Sequence, residues 1–175
     1  MNFSTMRDEV ILVDQHDRVT GKASKKEAHK KGLLHRAFSV WITNSQGEIL
    51  LQQRAQDKYH SPGLWSNSCC SHPQPGEETL ESAKQRLFEE MRIDSHLDYA
   101  GKFYYKVQFE TDLAEHEIDH VFTGVYDGPV DPNPNEVADF KWVRPANLIE
   151  ELEANPQQFT FWFPKVMKMV TGDRL

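Results

Sequence analysis

Two adjacent cysteines stand close to a histidine near the middle of the chain. The segment WSNSCCSHPQPGEE contains Cys69, Cys70 and His72, and the whole chain has 2 cysteines. A disulfide between neighbouring residues would close a strained ring, so we expect two reduced thiols. If CCSH is extended, Cys70 and His72 lie on one face while Cys69 points to the other. A buried cysteine is more often a packing residue than a chemical group, so the segment alone leaves both roles open.

Imidazole and carboxylate side chains elsewhere in the chain form a possible metal site with His72. The set consists of His29, His35, His72, Glu115 and Glu117. If the segment EHEIDHVFTG is extended, Glu115 and Glu117 project from the same face. Mixed nitrogen and oxygen ligands suit Mn²⁺, Zn²⁺ or Fe²⁺, whereas oxygen-only ligation would favour Mg²⁺. Spacing alone is equally compatible with unrelated positions, and we interpret the other histidines as surface residues: His16, His60, His96, His116 and His120.

Composition and charge limit the class of protein. The net charge of −7 argues against a general nucleic-acid surface. A basic cluster nevertheless occupies residues 22–36, where it would suit an anionic ligand or a solvated face. Its members are Lys22, Lys25, Lys26, Lys30, Lys31 and Arg36. No apolar run approaches the ~18 residues of a membrane helix. The start, MNFSTMRDEV, lacks the features of a secretory signal, so we expect a cytoplasmic protein without nucleic-acid or membrane partners.

Periodicity and turn residues predict the elements that must position these side chains. Predicted strands are Glu9–Val13, 37–43, Ile49–Arg54, 103–109, 118–126 and 140–143, and predicted helices are 80–91, Pro145–Ala154 and 161–170. Residues 23–31 form a helical turn or a basic loop, 57–75 are irregular, and the loop NSQGE joins 37–43 and Ile49–Arg54 as a hairpin. Mixed strands and helices without a repeat or linker indicate one α/β layered domain.

The segment SHPQPGEETLESAKQRLFEEMRI, residues 71–93, resembles the Nudix box, a loop–helix–loop that binds a diphosphate through divalent metal. The pattern is matched at Glu77, Leu87, Glu89, Glu90 and Ile93. It is not matched at Ser71 and Arg92, which replace glycines, or at Gln85–Arg86, which replace an Arg–Glu pair. The resemblance implies the scaffold, and the missing glutamate argues against hydrolysis.

Four further segments narrow the resemblance: HKKGLLHRAFSVWI, LLQQR, PGLWSNSCCSHPQPGE and EHEIDHVF. Together they resemble the type I isopentenyl-diphosphate delta-isomerases over about residues 8–170, and an imperfect Nudix box is itself a trait of that family. The resemblance implies a Nudix-like mixed β-sheet sandwiched between helices, with residues 1–175 as a single isomerase domain.

The resemblance also implies roles for individual residues. Cys70 matches the catalytic cysteine, and Cys69 becomes a structural neighbour. The His/Glu set matches a tight site for Mn²⁺ or Zn²⁺, and Glu90 with the backbone carbonyl of Cys70 matches a Mg²⁺ site on the substrate diphosphate. The diphosphate-binding positions are Lys25, Arg54, Lys58 and Arg86, each of which is otherwise a solvated charge.

The family reaction interconverts isopentenyl and dimethylallyl diphosphate through a tertiary carbocation. The resemblance implies that Glu117, assisted by Tyr105, protonates the alkene and that Cys70 takes the second proton. Trp162 would face the cation, although an aromatic run such as FTFWF is also typical of a core. We expect a monomer or weak homodimer. The alternatives are a Nudix hydrolase of a nucleoside diphosphate derivative and a non-catalytic metal- or isoprenoid-binding module.

Overall fold

The computed structural model describes residues 7–58 and 60–172, and they form a mixed β-sheet with helices on both faces. The strands are β1 Glu9–Val13, β2 Val19–Ser24, β3 His35–Thr43, β4 Ile49–Arg54, β5 Trp65–Ser66, β6 Cys69–Ser71, β7 Asp98–Gln108, β8 Ala114–Val125 and β9 Val137–Val143. The helices are α1 Lys25–Lys31, α2 Thr79–Met91, α3 Pro145–Ala154 and α4 Phe163–Thr171, with a 3₁₀ turn at Pro156–Gln158. The predicted α/β class is confirmed.

Strand β3 lies at the centre of the sheet. It pairs in parallel with β8 along its whole length, from His35 opposite Glu117 to Thr43 opposite Val125. Its other edge pairs antiparallel with β6, and it contacts β1 and β4 only at its ends. Strand β7 extends the sheet beyond β8, and β4 pairs with β5 and β9. The central position of β3 brings distant parts of the chain onto one surface.

Alternate residues of β3 face two separate cores. Val40 packs with Leu87 of α2 on one face, whereas Trp41 packs with Phe163 and Val166 of α4 on the other. Burial of each such side chain stabilises the fold by about 1.5–3 kcal/mol relative to exposure. The prediction of a sheet sandwiched between helices is therefore confirmed.

Particular residues determine where α1 begins and where α1 and α2 end. The hydroxyl of Ser24 accepts the backbone N–H of Glu27 at 3.1 Å and begins α1, and Gly32, with φ of 66°, ends it. Helix α2 ends at Arg92, whose φ of 56° lies in the left-handed region. A glycine adopts this conformation without steric cost, which explains why the Nudix pattern has one there.

Several local predictions differ from the structure. The segments 37–43 and Ile49–Arg54 do not form a hairpin ladder, since only Thr43 and Ile49 pair. Strand β2 was not predicted, because it is mostly exposed and shows no alternation. Residues 57–75 are not wholly irregular, because β5 and β6 lie within them; strands of two and three residues are too short for periodicity to reveal. The helical alternative for 23–31 is confirmed by α1.

Element boundaries differ where they matter for the site. Strand β8 begins at Ala114, so Glu115 and Glu117 lie within it, and α4 begins at Phe163 rather than at residue 161. Residues 1–6, 59 and 173–175 lie outside the described part, as does most of the segment on which the expectation about a secretory signal rests. A single domain over residues 1–175 stays a prediction. Within the described residues, no helix is both long enough and apolar enough to cross a membrane.

Candidate active site

One face of the neighbouring strands β3, β6 and β8 forms the floor of a partly open cavity. The parallel register sets His35 of β3 beside Glu117 of β8, and the antiparallel register sets Ser39 of β3 beside Cys70 of β6. Most of the predicted site residues line this cavity: Lys25, Arg54, Lys58, Cys70, His72, Arg86, Glu90, Glu115, Glu117 and Trp162. The remaining three, His29, His35 and Tyr105, are buried beside it. The fold therefore brings the predicted set together.

Four side chains of the predicted metal site converge. The potential ligand atoms of His29, His35, His72 and Glu117 all lie within 4.8 Å of one another. Nε2 of His35 is 3.2 Å and Nε2 of His72 is 3.0 Å from the same oxygen, Oε1 of Glu117. All four side chains are buried or nearly so, which is the enclosure that a tightly held ion requires.

Backbone carbonyls determine which imidazole nitrogens face the cluster. Nδ1 of His29 donates to the carbonyl of Lys25 at 2.7 Å, and Nδ1 of His35 donates to the carbonyl of Leu33 at 2.8 Å. In a neutral ring this leaves a lone pair on Nε2. The lone pair of His35 then faces a Glu117 oxygen. Two acceptor atoms this close repel each other unless a proton or another cation lies between them. This donor set fits a divalent metal ion with nitrogen and oxygen ligands.

Electrostatics favour the ligating form of these groups. Burial lowers the pKa of His29 to about 4 and that of His72 to about 3, so both rings are neutral near pH 7. Burial alone would raise the pKa of Glu117, but a proton or another cation shared with Nε2 of His35 and His72 holds it well below its ordinary value. The cluster thus presents neutral imidazoles and a negative oxygen, the forms that bind metal.

Glu115 lies on the same face, but its carboxylate is directed towards a fourth imidazole. Oε1 of Glu115 is 3.3 Å from Nε2 of His60. The ligand atoms of His29, His60 and Glu115 form a second group within 4.8 Å. The five predicted ligands therefore lie in two adjoining groups that share His29, and ligation of one ion by all five stays a prediction.

The interpretation of all the remaining histidines as surface residues is wrong. His60 is buried against Phe109 and Trp162, and burial lowers its pKa to about 2. His120 is also largely buried, with Nε2 2.8 Å from Asp17. His116 is half-buried, and only the last two are exposed: His16 and His96. The one signal for His60 was its position two residues after the predicted ligand-binding Lys58.

Cys70 lies in a polar environment on the cavity floor. Its thiol donates to Oδ1 of Asn67 at 3.2 Å, and Nε1–H of Trp162 donates to its sulfur at 3.1 Å. The hydroxyl of Ser39 is 3.6 Å away. Burial and the nearby carboxylate of Asp119 raise the pKa of Cys70 to about 12, so the group is a thiol at neutral pH.

Cys69 points to the opposite side of the sheet, as strand parity predicted. It is fully buried in the core that includes α2, and its thiol donates to Oε2 of Glu90 at 2.9 Å. Both cysteines are free thiols, which confirms the expectation that they do not bridge. Adjacent residues of the same type therefore have unrelated surroundings.

Tyr105 and Trp162 lie beside Glu117 and Cys70, respectively. Tyr105 is opposite Glu117 on the neighbouring strand, and no described residue hydrogen-bonds its hydroxyl. Burial raises the pKa of Tyr105 further, which keeps the hydroxyl protonated. Trp162 is 5% exposed and belongs to the core beneath α4 while also lining the cavity. The guanidinium of Arg54 lies over its ring, 5.5 Å from the centroid, so a cation already contacts the indole face.

The basic residues form one positively charged wall. Lys25, Arg54 and Lys58 all line the cavity, although they lie in separate elements and loops. Burial, followed by the positive charges of Lys58 and Arg54, lowers the pKa of Lys25 to about 8. Such a concentration of cations favours a multiply charged anion.

Two carboxylates are embedded in this wall. Arg86 is 3.7 Å from Glu90 and 3.6 Å from Glu136, and Lys58 also pairs with Glu136. Glu90 was predicted, whereas Glu136 was missed, because it follows the polar loop DGPVDPNPN and resembles ordinary surface charge. The acidic and basic groups together could hold a diphosphate with a hard cation.

Residues 33–163 match the family model described as NUDIX domain. The fold is also that of solved structures at low sequence identity. The protein DR0079 from Deinococcus radiodurans superposes with a TM-score of 0.75 at 20% identity, over 92% of this chain and 98% of its own. The MutT protein from Methanosarcina mazei Go1 has a TM-score of 0.65 at 19% identity, over 81% of this chain and 96% of its own. These two similarities concern the fold alone.

Sequence relatives are much more similar. Isopentenyl-diphosphate Delta-isomerase 2 of Aromatoleum aromaticum is 46% identical over 97% of this chain and 89% of its own length. Isopentenyl-diphosphate Delta-isomerase of Pectobacterium atrosepticum is 49% identical over 89% of this chain and 87% of its own. The chain belongs to the NUDIX domain family and, within it, to the isopentenyl-diphosphate Delta-isomerases.

Proposed function

We infer that this protein is an isopentenyl-diphosphate Delta-isomerase, which interconverts isopentenyl diphosphate and dimethylallyl diphosphate. The observation that carries the inference is identity of 46% over almost the whole length of a relative with that name. The geometry supports it, because Cys70 and Glu117 reach one cavity from strands on either side of β3. The fold alone would be equally compatible with hydrolysis.

The reaction moves one double bond and leaves the atom count unchanged. A proton adds to the terminal alkene carbon, which leaves a tertiary carbocation, and a proton then leaves the carbon nearer the diphosphate. An alkene is a very weak base, so the acid must be strong and water excluded. The burial of Glu117 and Tyr105 supports the exclusion of water.

We assign the proton to the alkene to Glu117, assisted by the Tyr105 hydroxyl, and the second proton to Cys70. Support comes from the position of Tyr105 opposite Glu117 and from the separate hydrogen-bonding environment of Cys70. The raised pKa of Cys70 favours a thiol near pH 7, and the lowered pKa of Glu117 favours a carboxylate. Conversion of isopentenyl to dimethylallyl diphosphate would end with the two groups in this protonation state. The reverse conversion would begin from it.

The metal site in this proposal holds Mn²⁺ or Zn²⁺ through His29, His35, His72, Glu115 and Glu117. A divalent ion bound there would withdraw charge from Glu117 and strengthen it as an acid. The chain's own contribution is the carbonyl hydrogen bonds that direct two imidazole lone pairs inward.

The diphosphate half of the substrate would contact Lys25, Arg54, Lys58 and Arg86. Glu90 and the backbone carbonyl of Cys70 would hold Mg²⁺ against it. The supporting observation is that these side chains all line the cavity that contains Cys70. Ion pairs with the diphosphate would anchor the substrate while its hydrocarbon end reacts.

Trp162 would stabilise the carbocation through its indole face. A desolvated cation–π contact is worth on the order of 2 kcal/mol or more. The position of the Arg54 guanidinium over the ring supports the assignment, because it places a cation against the same aromatic surface. Binding of the diphosphate by Arg54 would draw that guanidinium away and leave the face to the substrate.

Incubation of the protein with isopentenyl diphosphate and Mg²⁺ in deuterated water tests the function. We expect dimethylallyl diphosphate that carries deuterium, because the added proton comes from solvent-exchangeable groups. Release of phosphate from a nucleoside diphosphate derivative instead would favour the hydrolase alternative. No conversion and no exchange would favour a binding module.

The proposal includes a cytoplasmic location and a monomer or weak homodimer that acts without nucleic acid or membrane. The free thiols of Cys69 and Cys70 support a reducing compartment. Location and assembly stay predictions. Cell fractionation tests the location, and analytical ultracentrifugation of the purified protein tests the assembly.

A further inference from the structure

The segment before β1 is tied to the loop that follows β6. This loop, residues 72–78, begins at His72 and leads into α2. The side-chain amide of Gln74 donates to the carbonyl of Glu9 at 2.8 Å, and its oxygen accepts the N–H of Glu9 at 3.1 Å. The start of the chain's first strand and the loop thus form a reciprocal pair of hydrogen bonds.

Arg7 makes the densest set of contacts in this connection. Its two terminal nitrogens donate to the two carboxylate oxygens of Glu77 at 3.0 and 3.1 Å. The second nitrogen also donates to the hydroxyl of Ser82 at 2.8 Å and to the carbonyl of His72 at 3.2 Å. The Arg7 side chain is only 12% exposed, whereas that of Glu77 is 32% exposed, so water reaches the pair from the Glu77 side.

Glu77 joins this guanidinium to both ends of the loop. Its carboxylate accepts the N–H of Gln74 at 2.9 Å and the hydroxyl of Ser82, in α2, at 2.8 Å. Burial would raise the pKa of Glu77, but these donors together with Arg7 hold it below its ordinary value. Among the described residues, Arg7 is the one cation paired with Glu77. Gln85, where the Nudix pattern has arginine, bonds to Glu89 instead.

The network ends at the backbone of a metal-site residue. The carbonyl of His72 accepts from Arg7, and the imidazole of the same residue reaches Oε1 of Glu117 at 3.0 Å. The loop has a backbone hydrogen bond from the N–H of Glu77 to the carbonyl of Gln74, but the carbonyl of His72 is held by side chains, Arg7 at 3.2 Å and the amide of Gln74 at 3.4 Å. Fixing a ligand before the ion arrives lowers the ordering cost of binding.

We propose that Arg7 is a positioning residue for the metal site: its contacts with Glu77, Ser82 and the His72 carbonyl hold the His72 imidazole towards Glu117. The inference rests on the proposed metal site and adds to it a residue 65 positions away along the chain. Arg7 is not among the residues that line the cavity, so we expect its effect to be on retention of the metal.

Release of Zn²⁺ from the loaded protein to an excess of chelator tests the proposal in wild type, Arg7→Ala, Arg7→Lys and Arg18→Ala. Arg18 is the matched control, since it is exposed and pairs with Asp14 in the turn between β1 and β2. We expect release about 10-fold faster in Arg7→Ala, because supporting hydrogen bonds of metal ligands are typically worth about 10–100-fold in affinity. Arg7→Lys, which retains charge but not the fork, should be intermediate, and Arg18→Ala should match wild type.

Saturating Zn²⁺ separates positioning from general damage. A positioning role predicts that isomerase activity of Arg7→Ala returns close to wild type at high Zn²⁺, whereas a damaged fold would stay impaired and overturn the proposal. Equal release rates in wild type and Arg7→Ala would also overturn it. If Arg7→Ala does not fold, Arg7→Lys decides by the same two readouts. The variant His72→Ala tests the metal site separately. If His72→Ala retains Zn²⁺ as wild type does, the proposed ligand set is rejected, independently of the result for the Arg7 variants.

Discussion

The adjacent residues Cys69 and Cys70 lie on opposite faces of the sheet and have different surroundings. On the α2 face, Cys69 is fully buried among apolar side chains and donates to Glu90. On the α4 face, Cys70 meets Asn67 and Trp162 at the floor of an open cavity. The peptide geometry of β6 alone causes this separation. The parity of a residue's position in the strand therefore sets its surroundings, and we expect Cys69 to matter for stability and Cys70 for the reaction.

The largest expected effect comes from removing the Cys70 thiol, with removal of the Cys69 thiol as the comparison. Cys70→Ala should lower kcat by at least ~10²–10⁴-fold, because it removes a positioned proton-transfer group. Cys69→Ala should leave kcat nearly unchanged and lower the free energy of unfolding by about 1 kcal/mol through a small cavity. Steady-state kinetics and urea unfolding of both variants measure this. Equal loss of activity in two well-folded variants would show that the faces are not functionally distinct.

Removal of a single imidazole from the α4 face should have the next largest effect. His72→Ala should lower metal affinity by more than about 100-fold, since a direct ligand contributes more than the groups that support it. Elemental analysis after dialysis measures retained Mn²⁺ or Zn²⁺. His16→Ala is the control, because His16 is exposed. Full metal content in His72→Ala would remove His72 from the ligand set.

Trp162 belongs to a core and to the cavity, so its substitution shows which role dominates. Trp162→Leu should lower kcat by up to about 30-fold, the equivalent of ~2 kcal/mol, and Trp162→Phe should lower it less. KM should change little, because the diphosphate contacts are retained. Both variants lose the N–H donor to Cys70, so the part of the loss that they share measures that hydrogen bond, and their difference measures the aromatic face.

The outcome for a packing role is different. If Trp162 only fills the core, both variants should melt at lower temperature while kcat per folded molecule stays near that of wild type. Kinetics at a temperature well below both melting points separates the two cases. Equal activity of the leucine and phenylalanine variants would refute stabilisation of the cation by the ring.

The smallest expected effect lies at the end of α2. Arg92→Gly should raise the free energy of unfolding by about 1 kcal/mol, because glycine adopts the left-handed conformation without steric cost. Loss of the contact between Arg92 and the Phe88 ring offsets part of this gain. Activity should not change. A loss of stability would mean that the contact outweighs the backbone strain.

Elements with strong local patterns could be predicted from the sequence. Strand β1 and helix α3 have the predicted bounds, and α2 begins one residue before its predicted start. Strand parity correctly separated Cys69 from Cys70. These features depend on residues close together in the chain, which periodicity reports directly.

Features that depend on long-range pairing could not be predicted in the same way. Nothing near His60 indicates that Glu115 lies against it, and nothing near Glu136 indicates Lys58 and Arg86. The hairpin expected between residues 37–43 and β4 was wrong for a related reason: the edges of β3 are taken by β6 and β8, which are distant in sequence. The ligand set of His29, His35, His72, Glu115 and Glu117 came from family resemblance rather than from spacing.

The parallel pairing of β3 with β8 also has a kinetic consequence. His35 and Glu117 are 82 residues apart in sequence, yet they meet within one ladder at the centre of the sheet. Pairings of such separation form late, because closing a long loop costs entropy before any contact is gained. During synthesis one edge of β3 must stay unpaired until most of the chain has emerged. Enzyme activity should therefore appear only in the last stage of folding, after the helices and the antiparallel pair of β1 and β2 have formed.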